Sequence, residues 1–97
     1  MSLQVVETAV VKATAGFPDS RKFDIDGDWA SLTLKTVSGW AKQHTNLHEY
    51  IGWRFCKFNA HPVANEQEFE AAVASMSPGD PIVFTMSILR SKVNNLT

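Results

Sequence analysis

Cysteine and long apolar runs are scarce in this 97-residue sequence, whose single cysteine is Cys56. One cysteine excludes an internal disulfide and a zinc site built from cysteines, so folding must rest on a hydrophobic core. We expect Cys56 to be a small buried apolar residue in a strand. No apolar run approaches the ~20 residues of a membrane-spanning helix, and residues 1–10 lack the features of a secretory signal. These absences predict a cytoplasmic protein without membrane insertion.

An excess of charge of one sign is also missing, because nine Lys and Arg residues face ten Asp and Glu residues. A nearly neutral chain has no long-range field that attracts a polyanion, so we expect no nucleic-acid partner. What the sequence has is an apolar share of 44% with 20% charged residues, which is typical of a folded chain. Its length suits one domain over residues 1–97, with a core from about 5 to 90 and a frayed tail over 91–97.

The apolar pattern predicts strands interrupted by two helical segments. Leu32 and Leu34 alternate with polar residues, as in a strand with one buried face. The clearest helix follows Asn65, a candidate cap, and carries Phe69 and Val73 at helical spacing. The predicted elements are strands at 5–13, 23–26 (broken at Gly27) and 30–37, helical turns within 40–50, strands at 53–58 and near Val63, a helix at 66–75 and a strand at 82–88. Helices and strands do not alternate one by one, so we expect an α+β fold with an antiparallel sheet.

Four segments resemble, in the same order, segments of the PDZ domain family. Residues 50–59 (YIGWRFCKFN) resemble the family's glycine-containing strand that ends in asparagine. Upstream, residues 37–41 (VSGWA) resemble the entry to its short helix, and downstream 59–63 (NAHPV) resemble its asparagine-to-proline turn. The helix at 69–76 followed by 78–82 (PGDPI) is similar to the long helix and final strand of PDZ domains in high-temperature-requirement proteases.

The resemblance implies a PDZ-like, partly open antiparallel barrel or sandwich of five or six strands with one short and one long helix. It also implies a non-enzymatic interaction module without a cofactor. Such a module binds an extended peptide of another protein, a C-terminal tail or an internal segment, as an added strand. The peptide would lie in a groove between the second strand and the long helix.

The same resemblance assigns the walls of the groove. Backbone groups of Phe23, Asp24 and Ile25 would pair with the peptide, and Phe23 is open to either a pocket-wall role or an ordinary core role. Arg21 and Lys22, in the place of the family's glycine-rich loop, would add positive charge near a terminal carboxylate.

On the long helix, Glu68, Ala72 and Ser75 form a stripe rotated one residue from the core stripe, and we expect this stripe to line the groove. A carboxylate at Glu68 would favour a basic or hydroxyl-bearing ligand side chain and repel an acidic one. The alternative for Glu68 is a solvated side chain that helps to cap its own helix.

Residues 20–23 contain no glycine where the family has several, which leaves a second function open. In that alternative the groove is degenerate, and the domain is a spacer or a dimerisation surface within a larger protein. The sequence leaves the oligomeric state open, including a dimer.

Other chemistries have weaker support. His44 and His48 are four residues apart but lack a third ligand, so we expect no metal site. Alternating aspartates at 24, 26 and 28 resemble the start of a calcium loop, but the glycine stands at the fourth position and a lysine at the twelfth. No nucleophile motif or phosphate-binding glycine loop occurs, so we expect no enzyme. The tryptophans could form an exposed patch or pack at the rim of the core: Trp29, Trp40 and Trp53.

Overall fold

A computed structural model describes residues 2–93 as an α+β domain with a six-stranded antiparallel sheet and two α-helices. The strands are β1 (Ser2–Lys12), β2 (Ile25–Asp28), β3 (Thr33–Val37), β4 (Arg54–Phe58), β5 (His61–Pro62) and β6 (Val83–Val93). Helix α1 (Gly39–His44) and a 3₁₀ turn (Leu47–Tyr50) join β3 to β4, and helix α2 (Glu66–Ala74) joins β5 to β6. The predicted α+β class and the predicted order of elements are confirmed.

The strands lie in the order β1-β6-β4-β3-β2, with β5 paired to β4. β1 and β2 are therefore the two edges of the sheet. β1 pairs with β6 from Ser2 opposite Val93 to Lys12 opposite Val83, without a shift of register. β6 thus continues to Val93, past the predicted start of the frayed tail, and residues 94–97 lie outside the described part of the chain.

Phenylalanine rings fill the centre of the core. Phe55, Phe58 and Phe84 are fully buried. The ring centroid of Phe84 lies 5.5 Å from that of Phe55 and 5.5 Å from that of Phe58. Phe69 of α2 packs against Phe55 at 5.2 Å and so fixes the helix on the sheet. Each aromatic ring buries a large apolar area, and such area is the main favourable term in folding. Cys56 lies in β4 as predicted, but it is half-buried rather than buried.

Two predicted strands begin later than their apolar patterns indicated. β2 starts at Ile25 because Asp24 has a φ of +58°, outside the range of a strand. It then continues through Gly27 by a shift of register against β3 rather than ending there. β3 starts at Thr33 because Leu32, although fully buried, has a φ of +57° in the turn between the two strands.

Candidate functional site: the groove between β2 and α2

An open groove of about 650 Å³ runs between the edge strand β2 and helix α2. It occupies the place where the sequence predicted a peptide site. The residues that line it come from the loop before β2, from β2 itself, from the β2–β3 turn and from one side of α2: Arg21, Lys22, Phe23, Asp24, Ile25, Trp29, Glu66, Phe69, Glu70, Val73 and Ala74. All the lining residues predicted before and within β2 are therefore present.

The floor of the groove is apolar and aromatic. Phe23 is only 7% exposed and contacts Phe58 and Phe84 of the core, with centroid distances of 6.0 and 5.5 Å. It therefore has both of the roles that the sequence left open, core residue and groove wall. Trp29 closes one side by packing on Phe69 at 5.6 Å. A floor of this kind can bury an apolar side chain of a ligand, which is worth roughly 2 kcal/mol.

The backbone of Ile25 faces outward from the sheet edge. The carbonyl of Asp24 accepts a hydrogen bond from the N–H of Ser38 at 2.9 Å, and Asp26 stands opposite Thr36 in the same register. Alternate residues of an antiparallel strand bond to the neighbouring strand, so Ile25, between the two aspartates, directs its N–H and C=O away from β3. These two groups can pair with an extended peptide.

The neighbours of Ile25 contribute less than the sequence predicted. The carbonyl of Phe23 accepts from the N–H of Ala41 at 3.0 Å, and the N–H of Gly27 donates to Oδ1 of Asp26 at 2.8 Å. Among residues 2–93, no hydrogen bond joins the N–H of Phe23 or of Asp24 to another group. The edge of β2 therefore offers few backbone groups to a ligand. They are the N–H and C=O of Ile25 and the N–H groups of Phe23 and Asp24.

Asp24 holds the loop before β2 against the start of α1. Its carboxylate Oδ2 accepts from the N–H of Trp40 at 2.9 Å, and its carbonyl also accepts from Oγ of Ser38 at 3.0 Å. Ser38 itself makes no side-chain cap, so the cap of α1 comes from a distant part of the chain. The Asp24 carboxylate is therefore occupied by a structural contact although it borders the groove.

Arg21 closes one end of the groove by binding the C-terminus of α2. Its guanidinium donates to the carbonyls of Met76 at 3.0 Å, Val73 at 3.2 Å and Ala74 at 3.3 Å, and it lies 4.9 Å from the Phe17 ring centroid. A cation at this end of a helix satisfies carbonyls that have no partner within the helix. Arg21 therefore holds the loop before β2 against the end of α2. The neighbouring basic residue, Lys22, is exposed and has no such contacts among the described residues.

Replacement of Arg21 by alanine is expected to lower the free energy of unfolding by about 1 kcal/mol, because the lost hydrogen bonds are solvent-exposed. Lys22→Ala, one residue away, is the matched control and is expected to change it by less than about 0.5 kcal/mol. Urea denaturation measures both values. Equal stability of the two variants would contradict the proposed contact with α2.

The predicted stripe on α2 lies on the other side of the helix. Glu68, Ala72 and Ser75 line a separate shallow depression together with His61 and Pro62. Residues on a helix are about 100° apart, so positions one residue before and one residue after the core stripe lie on opposite flanks. The periodicity locates the core stripe but does not distinguish the flanks, and the structure turns the flank with Glu66 and Glu70 toward β2.

Glu68 takes the capping role that the sequence left as its alternative. Its N–H donates to Oδ1 of Asn65 at 2.9 Å, and its carboxylate accepts from the N–H of Ala64 at 3.1 Å. The predicted cap at Asn65 is confirmed. This arrangement satisfies the N–H of Glu68 in the first turn of α2 and the N–H of Ala64 just before the cap.

The other candidate chemistries are not assembled. α1 ends at His44, and His48 belongs to the separate 3₁₀ turn, so the two do not share a helix face. Asp26 and Asp28, like Asp24, accept hydrogen bonds from backbone N–H groups with their carboxylates. Within residues 2–93 no cluster of His, Cys, Asp and Glu side chains suits a metal ion. The tryptophans pack separately against the core rather than as one patch: Trp29, Trp40 and Trp53.

No protein-family model, curated protein or solved structure matches this chain. In the described part of the chain, none of the helices has the length and apolar character that a membrane crossing requires.

Proposed function

We propose that the domain binds an extended peptide segment of another protein in the groove between β2 and α2. The observation that carries this proposal is the outward-facing backbone of Ile25 beside an apolar groove of about 650 Å³. Backbone pairing supplies affinity that depends little on sequence, and the apolar floor selects a side chain. Each such hydrogen bond is worth only about 1 kcal/mol net, so the dissociation constant lies in the micromolar range.

The classification of the fold as PDZ-like belongs to the same proposal. The order of elements supports it, with α1 between β3 and β4 and the longer helix α2 before the last strand. The position of the groove between an edge strand and α2 supports it as well. The binding role is that of a non-enzymatic module.

The rim of the groove favours a ligand with a basic side chain. Glu66 and Glu70 are exposed and stand on the groove side of α2, where a basic ligand residue can approach them. Opposite charges attract, and an acidic ligand residue would be repelled at the same place. The ligand class is therefore a segment that combines one apolar side chain with a nearby lysine or arginine.

Both C-terminal and internal segments fit the proposal. The unpaired N–H groups of Phe23 and Asp24, with Lys22 beside them, could receive a terminal carboxylate. Arg21 contributes little to such a contact, because its guanidinium is bound to α2. The test is a fluorescence-polarisation titration with a peptide library in which each member is present with a free and with an amidated C-terminus. Equal binding of the two forms identifies an internal mode, and no saturable binding in the library contradicts the proposal.

The acidic rim gives a specific prediction for the best basic peptide of that library. Glu70→Gln is expected to weaken its binding about fivefold, because the variant removes a partly screened attraction of about 1 kcal/mol. Glu68→Gln is the matched control, since glutamine retains the capping geometry and the position lies on the opposite flank. The same titration at raised salt should reduce the difference between the two variants. Identical losses in both variants would show that the ligand does not lie against the Glu70 flank.

A structural role is the second candidate. It is favoured by the fact that the loop before β2 is tied to α1 through Asp24 and to α2 through Arg21. In this candidate the groove is degenerate, and the domain serves as a spacer within a larger protein. The peptide titration distinguishes the two candidates directly.

A further inference from the structure

The edge of the sheet opposite the groove is the long strand β1, which pairs with β6 alone among the strands of residues 2–93. β1 forms one end of the strand order and has eleven residues in regular register, with no proline, glycine or bulge. β2, at the other edge, has four residues, a register shift at Gly27 and acidic side chains. Such devices limit the length of edge with which another chain can pair. At β2 they leave room for pairing at Ile25, whereas β1 offers a much longer regular edge to a second chain.

The solvent face next to this edge carries exposed apolar side chains among polar ones. Val6 is 65% exposed, Val10 59% and Leu89 60%, and Val6 stands opposite Leu89 in the β1–β6 pairing. Val6 and Val10 are an even number of residues apart, so they lie on the same face of the strand. Exposed apolar groups at a free strand edge are together the features of an association surface.

The hydrogen-bonding groups along the outer edge follow from the register. The N–H of Ala13 donates to the carbonyl of Ile82 at 3.0 Å, which continues the register of Lys12 opposite Val83. Because the bonding direction alternates along an antiparallel strand, the N–H and C=O groups of the odd-numbered residues of β1 bond to β6. Those of the even-numbered residues point away from β6, toward the outer edge. The outward set consists of Gln4, Val6, Thr8, Val10 and Lys12.

We propose that two copies of this chain associate through antiparallel pairing of their β1 edges, with the twofold axis at Thr8. The occupant is a second copy because β1 is complementary to itself in this register. Val6 then faces Val10 of the second copy, Gln4 faces Lys12, and Glu7 faces Ala9, so that no like charges oppose each other. A twofold axis perpendicular to the sheet keeps the apolar faces on the same side, and the valines and Leu89 of both copies form one surface.

Neighbouring registers are less favourable. A twofold axis at Glu7 would place that carboxylate opposite its own copy, which is destabilising. An axis at Ala9 would place Val6 opposite Lys12 and leave the valines without apolar partners across the interface. The Thr8 register places two Val6–Val10 pairs across the interface and keeps like charges apart, whereas an axis at Val6 or at Val10 places one valine pair there. Because β2 lies at the far edge of each sheet, both peptide grooves remain open in the dimer.

Sedimentation equilibrium of the full chain tests the pairing and its register. The native chain is expected to show a concentration-dependent dimer. Val6→Lys/Val10→Lys opposes like charges twice across the interface and is expected to weaken association about 100-fold. Val6→Lys/Val10→Glu pairs opposite charges instead and is expected to remain within about tenfold of the native chain. It is also the matched control for the loss of the valines.

Three results would overturn the proposal: a native chain that stays monomeric at all concentrations, a dilysine variant that dimerises like the native chain, or equal weakening in the two variants. Thermal unfolding checks that both variants fold. Hydrogen exchange of the native chain supplies a measurement without substitution, because the outward N–H groups of Val6, Thr8 and Val10 should be protected at high concentration and exchange rapidly at low concentration. Rapid exchange at both concentrations would also overturn it.

Discussion

Replacement of Ala74 by arginine is expected to weaken peptide binding about 100-fold, whereas Ala71→Arg is expected to leave it unchanged. Ala74 lies on the groove side of α2, and Ala71 lies on the opposite flank beside His61 and Pro62. A long cationic side chain at Ala74 would obstruct the groove, and its charge would oppose the basic ligand that the acidic rim favours. The expected loss of binding free energy is about 3 kcal/mol. It combines the burial of one apolar ligand side chain with the backbone hydrogen bonds that form only when this side chain is in the groove.

The two variants form a matched pair because both alanines are exposed and both lie in the same helix. Arginine is nearly as good a helix former as alanine, so the stability of α2 should change little in either variant. Isothermal titration calorimetry with the best library peptide measures the two affinities. Equal affinities would place the ligand elsewhere than between β2 and α2.

Gly39→Ala is expected to lower the free energy of unfolding by about 3 kcal/mol. Gly39 has a φ of +46°, and an added Cβ would lie 2.6 Å from Cγ of Asp24. The carboxylate would have to leave the N–H of Trp40, so the substitution adds the loss of the α1 cap to the backbone strain.

Gly52→Ala is the control that measures the cost of a positive φ angle without a steric contact. Gly52 has a φ of +94°, and an added Cβ would meet nothing within 4 Å, so about 1 kcal/mol is expected. In a chain that also carries Asp24→Gly, the cost of Gly39→Ala should fall to about the cost of Gly52→Ala. Urea denaturation of the single and double variants gives these values. An unchanged cost of Gly39→Ala in the double variant would show that the contact with Asp24 does not determine it.

The sequence predicted the elements whose signals are local. Asn65 as a cap, the core position of Phe69 and the alternation that buries Leu34 all depend on neighbours within a few residues, and the structure has them as predicted. The starts of β2 and β3 were predicted too early. They depend on positive φ angles at Asp24 and Leu32, and for Asp24 on contacts with a helix fourteen or more residues away.

The predicted β2 wall of the groove is present in the structure, whereas the residues predicted for the α2 wall lie on the other flank of the helix. The β2 wall was implied by the resemblance to PDZ domains, and the structure has β2 at an edge of the sheet beside the groove. The α2 wall depends on the rotation of the helix about its core stripe, which is set by tertiary packing. Glu66, Glu70 and Trp29 were therefore missed, although the helical wheel already showed that a second flank existed beside Val73. The role of Arg21 could not be predicted, because it joins residues more than fifty positions apart.

A ¹⁵N NMR titration of the chain with the best library peptide shows whether the peptide lies between β2 and α2 and pairs with the backbone of Ile25, as we propose. We expect the largest shift changes at the amides of Phe23 to Gly27 and along the Glu66, Glu70 and Val73 side of α2, together with new protection of the Ile25 amide from exchange. Saturable binding whose shift changes map to β1, or to the Glu68 and Ser75 flank while Ile25 is unaffected, would contradict the proposal.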